Sequence, residues 1–126
     1  MAGERVLVVE DNEKNMKLFR DVLDASGYRT LEATTGGEAV AMASEHTPDL
    51  VLMDIQLPDL DGVQALHRLR ADPRTSTIPI VALTAQAMQG DRERFLAAGF
   101  DGYMSKPVNV RDLIGTVREH CDRESR

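Results

Sequence analysis

Apolar and polar positions along the chain alternate between two periods. Arg5 to Val9, RVLVV, is an apolar, β-branched run without polar interruption, the pattern of a strand covered on both faces, and Glu10, Asp11 and Asn12 follow at once. From Glu13 to Ser26 the apolar positions Leu18, Phe19, Val22, Leu23 and Ala25 recur at helical spacing, with Asp11 or Asn12 to cap the start and Gly27 to end it. Tyr28 to Ala33 is short and partly polar, which suits an edge strand, and Gly36 to His46 carries Ala39, Val40, Met42 and Ala43 as a second helix. Asp49 to Asp54, DLVLMD, repeats the buried strand ending in an acid, and Leu57 to Gly62 is a breaker-rich loop. Val63, Leu66 and Leu69 mark a third helix that ends near Ala71 to Pro73. Ile78 to Ala85, IPIVALTA, is a third strong strand with Thr84 at its exit. A helix from Met88 to Ala98, a short strand from Gly102 to Ser105 and a last helix through Val110, Leu113, Ile114 and Val117 complete the series. Five strands interleaved with five helices predict an α/β sandwich with right-handed crossovers and a parallel sheet.

In such a sheet functional groups collect beyond the carboxyl ends of the strands, where the strand order reverses. This chain places Glu10 and Asp11, Asp54, Thr84 and Lys106 at four such ends. Carboxylates gathered there repel by roughly 4 kcal/mol per pair at 4 Å and an effective dielectric near 20, so their convergence calls for a cation or for neutralisation. The set offers oxygen donors only, which points to magnesium rather than zinc. A carboxylate beside such an ion can attack a phosphoryl group, while a hydroxyl and an ammonium stabilise the transferring oxygens, giving Asp54, Thr84 and Lys106 coherent roles. Taken singly, each acid also reads as a loop or cap residue and Lys106 as a surface lysine.

The motifs VLVVEDN (Val6 to Asn12), LMDIQLPDLDG (Leu52 to Gly62), ALTA (Ala82 to Ala85) and SKP (Ser105 to Pro107) together make the chain resemble the receiver domains of two-component response regulators, and among them the small single-domain regulators of the DivK type. The resemblance spans essentially the whole chain. It implies a doubly wound five-stranded sheet in order 2-1-3-4-5, the flavodoxin-like, CheY-like three-layer sandwich. It further implies phosphorylation on Asp54, and magnesium held by Asp11, Asp54 and the backbone carbonyl of Gln56, with Glu10 acting through bound water. Thr84 and Lys106 would contact the phosphoryl group, and Gln56 and Gln86 would flank it and tune hydrolysis. A cis peptide is expected before Pro107, a Thr84–Tyr103 switch on phosphorylation, and kinase docking on the first helix around Asn15, Met16 and Phe19. Glu10 departs from the commoner aspartate at its position.

Composition narrows the partners. At 126 residues the chain can bury roughly two thirds of its unfolded surface around one core, so a single receiver with its core at 5–121 and no output domain is expected. A net charge of -6 disfavours direct binding to nucleic acid or an anionic membrane. No signal peptide and no run of 18 apolar residues is present, and the single cysteine, Cys121, excludes an internal disulfide framework, so a cytoplasmic protein is expected. Signalling would then run from a sensor histidine kinase or histidine phosphotransfer protein to a downstream protein, with the chain a monomer or a weak phosphorylation-dependent dimer. His46, His67 and His120 lack metal-ligand spacing and read as exposed or capping residues, and Arg68, Arg70 and Arg74 as a solvated helix face. Two other functions compete: a small phosphatase using Asp54 as nucleophile, disfavoured because Ile55 and Gln56 supply no second aspartate, and a phosphorylation-independent adaptor.

Overall fold

A computed structural model of the chain describes residues 3–85 and 90–121. The elements run β1 (Arg5–Val9), α1 (Glu13–Ala25), β2 (Arg29–Ala33), α2 (Gly36–His46), β3 (Leu50–Asp54), α3 (Gly62–Ala71), β4 (Ile80–Thr84), α4 (Asp91–Ala98), β5 (Gly102–Ser105) and α5 (Val110–Cys121). The strands pair in parallel in the order β2-β1-β3-β4-β5, so the expected topology holds and β2 is an edge strand.

Strand alternation divides the core into two layers. Leu7, Val9, Val51, Met53, Ile80 and Ala82 face one side, against Ala39 and Ala43 of α2, Leu66 and Leu69 of α3, and Phe95 of α4. Val6, Val8, Leu50, Leu52, Val81 and Leu83 face the other, against Met16, Phe19 and Leu23 of α1 and Leu113 and Val117 of α5. Both faces of the central strands are therefore dry, which is why their sequences show no polar alternation.

Where element ends differ from the sequence expectation, local hydrogen bonding explains it. Tyr28 N–H closes the end of α1 onto Leu23 O, so β2 begins one residue later. Ile78 N–H is taken by Thr75 O in a turn and Pro79 has no N–H, so β4 begins at Ile80. The fourth helix, expected from Met88, is described from Asp91 with Gly90 as its N-cap, and Gln86, Met88 and the stub at 122–126 lie outside the described residues. Two side-chain expectations are corrected. His120 is buried against Gly102 rather than exposed, and Arg70 is not on a solvated face. Its guanidinium donates to Ser76 O, Ile78 O and Gly99 O and pairs with Asp101 at 2.8 Å, while Asp101 also accepts from Ile80 N–H. This ties α3 to the entrance of β4 on the end of the sheet away from the acids.

Candidate phosphoryl-accepting site

β1 is flanked by β2 on one side and β3 on the other, so the chain reverses direction across the sheet between β1 and β3, opening a crevice at their carboxyl ends. Glu10 leaves β1 there with its backbone N–H on Ala33 O, and Asp54 is the last residue of β3. Asp11 begins the turn into α1, which Asn12 caps by accepting from Asn15 N–H at 3.0 Å. Carboxylate oxygens of Glu10, Asp11 and Asp54 lie within 4.8 Å of one another, so the three acids expected to converge do so. Glu10 and Asp54 are buried and Asp11 is exposed.

Lys106 reaches the same point from the end of β5. Its Nζ is 2.7 Å from Asp54 Oδ2 and 2.6 Å from Glu10 Oε1, and Lys106 N–H holds Thr84 O at 2.7 Å, which sets the lysine loop beside the end of β4. The Lys106–Pro107 peptide is cis, as expected. Gln56 N–H donates to the other Asp54 oxygen, Oδ1, at 2.9 Å, so both oxygens of this carboxylate are oriented. Glu10 Oε2 accepts from Asn12 N–H at 3.0 Å, whereas the buried Oε1 has the lysine charge beside it but no aligned hydrogen bond. Burial pushes the Glu10 carboxyl above its ordinary value, opposed by Lys106 and the Asn12 N–H. Burial by itself would lower Lys106, yet its hydrogen bond to Asp54 and the negative charge of Glu10 beside it carry the ammonium above its ordinary value.

Three carboxylates against one ammonium leave two negative charges uncompensated. Together with the buried Glu10 Oε1 that lacks an aligned donor, this hard-oxygen donor set fits a divalent ion such as magnesium. Thr84, buried at the end of β4, pairs in register with Ser105. Tyr103 is half-buried on β5 with its ring 5.9 Å from that of Phe95.

The docking residues need revision. Met16 and Phe19 are only 2% and 1% exposed and belong to the core under α1, so in this state they offer no surface to a partner. Asn15 is half-exposed, and Leu18, 38% exposed, is the large apolar side chain that α1 presents. Met16, Phe19 and Leu23 form the true inner stripe at i, i+3 and i+7, a spacing that could have been read from the chain.

Gly62, which the sequence places at the end of a breaker-rich loop, is also required by the site. A Cβ on Gly62 would lie 2.9 Å from both Asp54 O and Ile55 Cα, backbone atoms that cannot swing away. Helix propensity alone would favour alanine here by about 1 kcal/mol, but overpacking against backbone costs about 1–3 kcal/mol. Gly62→Ala is therefore expected to lower the melting temperature by several degrees and to shift the Asp54 amide resonance. A variant as stable as the native chain would show that this approach is not tight.

Comparison with known proteins agrees with this geometry. Residues 6–118 match the family described as response regulator receiver domain. The polar-differentiation response regulator DivK of Brucella ovis is 49% identical over 115 residues, covering 91% of this chain and 94% of its own length. The receiver domain of sensor histidine kinase PA1611 from Pseudomonas aeruginosa, solved with a magnesium ion coordinated in its active site cleft, superposes with a TM-score of 0.87 at 39% identity, covering 95% of this chain and 98% of that one. Chemotaxis protein CheY4 of Vibrio cholerae gives a TM-score of 0.87 at 26% identity over 94% of this chain and 99% of its own. Among the described residues no helix is long and apolar enough to cross a membrane. A crevice of acids and one lysine at the switch point of a 2-1-3-4-5 sheet, with a family match spanning nearly the whole sequence, places this chain in the response regulator receiver domain family, the phosphoacceptor modules of two-component signalling.

Proposed function

We propose that Asp54 is the phosphoryl acceptor and that Lys106 and Thr84 stabilise the transferring group. The observation that supports this most is the buried Asp54 carboxylate, held by Gln56 N–H on one oxygen and by the Lys106 ammonium on the other. An Asp54 oxygen attacks the phosphorus of a phosphohistidine; the P–O bond forms as the P–N bond breaks, and the departing imidazole nitrogen takes up a proton. The Lys106 ammonium then passes from the carboxylate to an equatorial phosphoryl oxygen, and the Thr84 hydroxyl turns to a second. Later attack of water on phosphorus breaks the same P–O bond and releases inorganic phosphate, a step that Gln56 and Gln86 would tune.

Glu10, Asp11, Asp54 and the Gln56 carbonyl would hold magnesium, Glu10 through water. When bound, the ion supplies positive charge that offsets the two uncompensated carboxylates and the incoming phosphoryl oxygens. The donor would be a sensor histidine kinase or histidine phosphotransfer protein meeting the exposed side of α1 in the cytoplasm, with the core at 5–121 acting as one unit. Output would pass to a protein target when Thr84 turns and Tyr103 follows it inward. The chain thus catalyses its own loading and unloading without being a dedicated enzyme.

Incubation with a small-molecule phosphodonor, acetyl phosphate, tests the ion dependence. Intact mass is expected to show one added phosphoryl group with magnesium present and a loss of at least tenfold in loading when a chelator removes it. Equal loading with and without the chelator would contradict the role given to the ion.

A further inference from the structure

We infer that Asp59 is a positioning residue for this site: it pins the loop 56–61 to the N-terminus of α2 and so keeps the Gln56 carbonyl and the Asp54 carboxylate in place. The inference rests on the reading of Asp54 and Gln56 given above.

The loop leaves β3 and returns to start α3, with its neck closed by Gly62 N–H on Ile55 O at 2.8 Å and anchored to the sheet by Ile55 N–H on Leu83 O at 2.9 Å. At its outer end the Asp59 carboxylate accepts Gly36 N–H on Oδ1 at 2.7 Å and Gly37 N–H on Oδ2 at 2.9 Å. These are the first two N–H groups of α2, which a helix leaves unsatisfied. The N-cap of α2, Thr35, accepts only Glu38 N–H with its side chain, at 3.1 Å. A remote loop thus supplies the two acceptors that the local cap does not.

Two residues on, Asp61 caps α3 by accepting Gln64 N–H at 2.8 Å, and Gln64 Oε1 accepts Asp61 N–H in return. The loop is suspended between two helix N-termini, with one acid on each. The fit at α2 is close, since a Cβ on Gly36 would lie 2.8 Å from Leu60 Cβ and 3.4 Å from Asp59 Oδ1. The Gly37 and Gly36 N–H groups hold the Asp59 carboxyl below its ordinary value, so the pin is charged at neutral pH, where the helix dipole favours it.

Capping alone would make Asp59 a stability device for α2. What extends its role is the short path inward: Gln56 lies three residues away, and its N–H holds Asp54 Oδ1. Release of the outer end frees the segment that orients both the proposed phosphoacceptor and the proposed carbonyl ligand. Groups that orient metal ligands typically change metal affinity 10–100-fold, and action through a loop backbone places Asp59 near the lower figure, about tenfold.

The test compares the native chain, Asp59→Ala and Thr35→Ala by titration with magnesium chloride, read from backbone amide resonances. Both substitutions remove a cap of α2, so both should lower the melting temperature alike. Only Asp59→Ala is expected to weaken magnesium binding, by about tenfold, and to move the Gln56 amide resonance and speed its hydrogen exchange in the metal-free protein. Native affinity in Asp59→Ala, or an equal loss in Thr35→Ala, would overturn the positioning role while leaving the reading of Asp54 intact. Absence of magnesium binding by the native chain would overturn that reading and this inference with it.

Discussion

Asp54→Asn is expected to fold as the native chain does and to take up no phosphoryl group. Asparagine keeps the shape of the side chain and an Oδ1 acceptor for Gln56 N–H, so the end of β3 has no steric reason to move. It lacks the carboxylate nucleophile, and an acyl phosphate cannot form on an amide oxygen. The substitution also removes one of the three clustered negative charges, which relieves repulsion with Glu10 while weakening the hold on Lys106. These effects oppose each other, so stability should stay within about 1 kcal/mol of the native value, the worth of an ordinary hydrogen bond. Intact mass after exposure to acetyl phosphate and magnesium reads the first part, and thermal unfolding reads the second. Loading of Asp54→Asn to the native level would remove Asp54 from the chemistry.

Lys106→Met is expected to have the second largest effect, and to divide into two measurable parts. The ammonium is the one cation shown beside Asp54 and Glu10 in the described site, and its side chain is 17% exposed while those of its partners are 7% and 0% exposed. Removing a group that stabilises developing charge on a transferring oxygen costs about 100- to 1,000-fold in rate, so phosphoryl uptake should fall by about that factor. In the metal-free protein the two buried carboxylates lose their counter-ion, and breaking such a pair costs up to about 3–5 kcal/mol. Uptake of a proton by Glu10, whose carboxyl burial already favours the neutral form, holds the loss below that limit. Magnesium should restore more stability to the variant than to the native chain, because the variant's carboxylates have no competing ammonium and binding to the native state stabilises it by mass action. Native loading rates in Lys106→Met would exclude the lysine from the transition state. An unchanged magnesium-induced rise in melting temperature would show that ammonium and ion do not share these carboxylates.

The parts of this molecule that were legible in its sequence are those fixed by short-range pattern. RVLVV, DLVLMD and IPIVALTA announce strands because each lies between two helical layers and has no polar face to show. Glu10, Asp54, Thr84 and Lys106 could be picked out because parallel topology sends every strand's exit to the same edge, so position in the pattern implied proximity. What escaped was decided across the fold. Leu18 and Met16 are both apolar residues of α1, and the choice between the stripe through Met16, Phe19 and Leu23 and one through Leu18 shows in the packing, where Met16 is buried and Leu18 is not. Arg70 looked like one of three surface arginines until the approach of Ser76, Ile78, Gly99 and Asp101 gave it four acceptors. Asp59 and Asp61 read alike in LPDLDG, yet one caps the helix that follows and the other a helix more than twenty residues earlier in the chain. No local pattern distinguishes them, since the choice depends on α2 and α3 packing side by side on one face of the sheet. His120 follows the same logic: the last turn of α5 closes over Gly102, and a position that looks terminal and polar becomes interior.

The central claim is that one carboxylate, at the end of β3, carries the phosphoryl group. Loading the native chain with acetyl phosphate and magnesium, trapping the acyl phosphate by borohydride reduction and sequencing the digested peptides by tandem mass spectrometry locates the modified residue directly. The account predicts a single reduced site, at Asp54, absent when the ion is chelated. Modification at Glu10 or Asp11 instead, or no adduct under conditions that load another receiver domain, would contradict it.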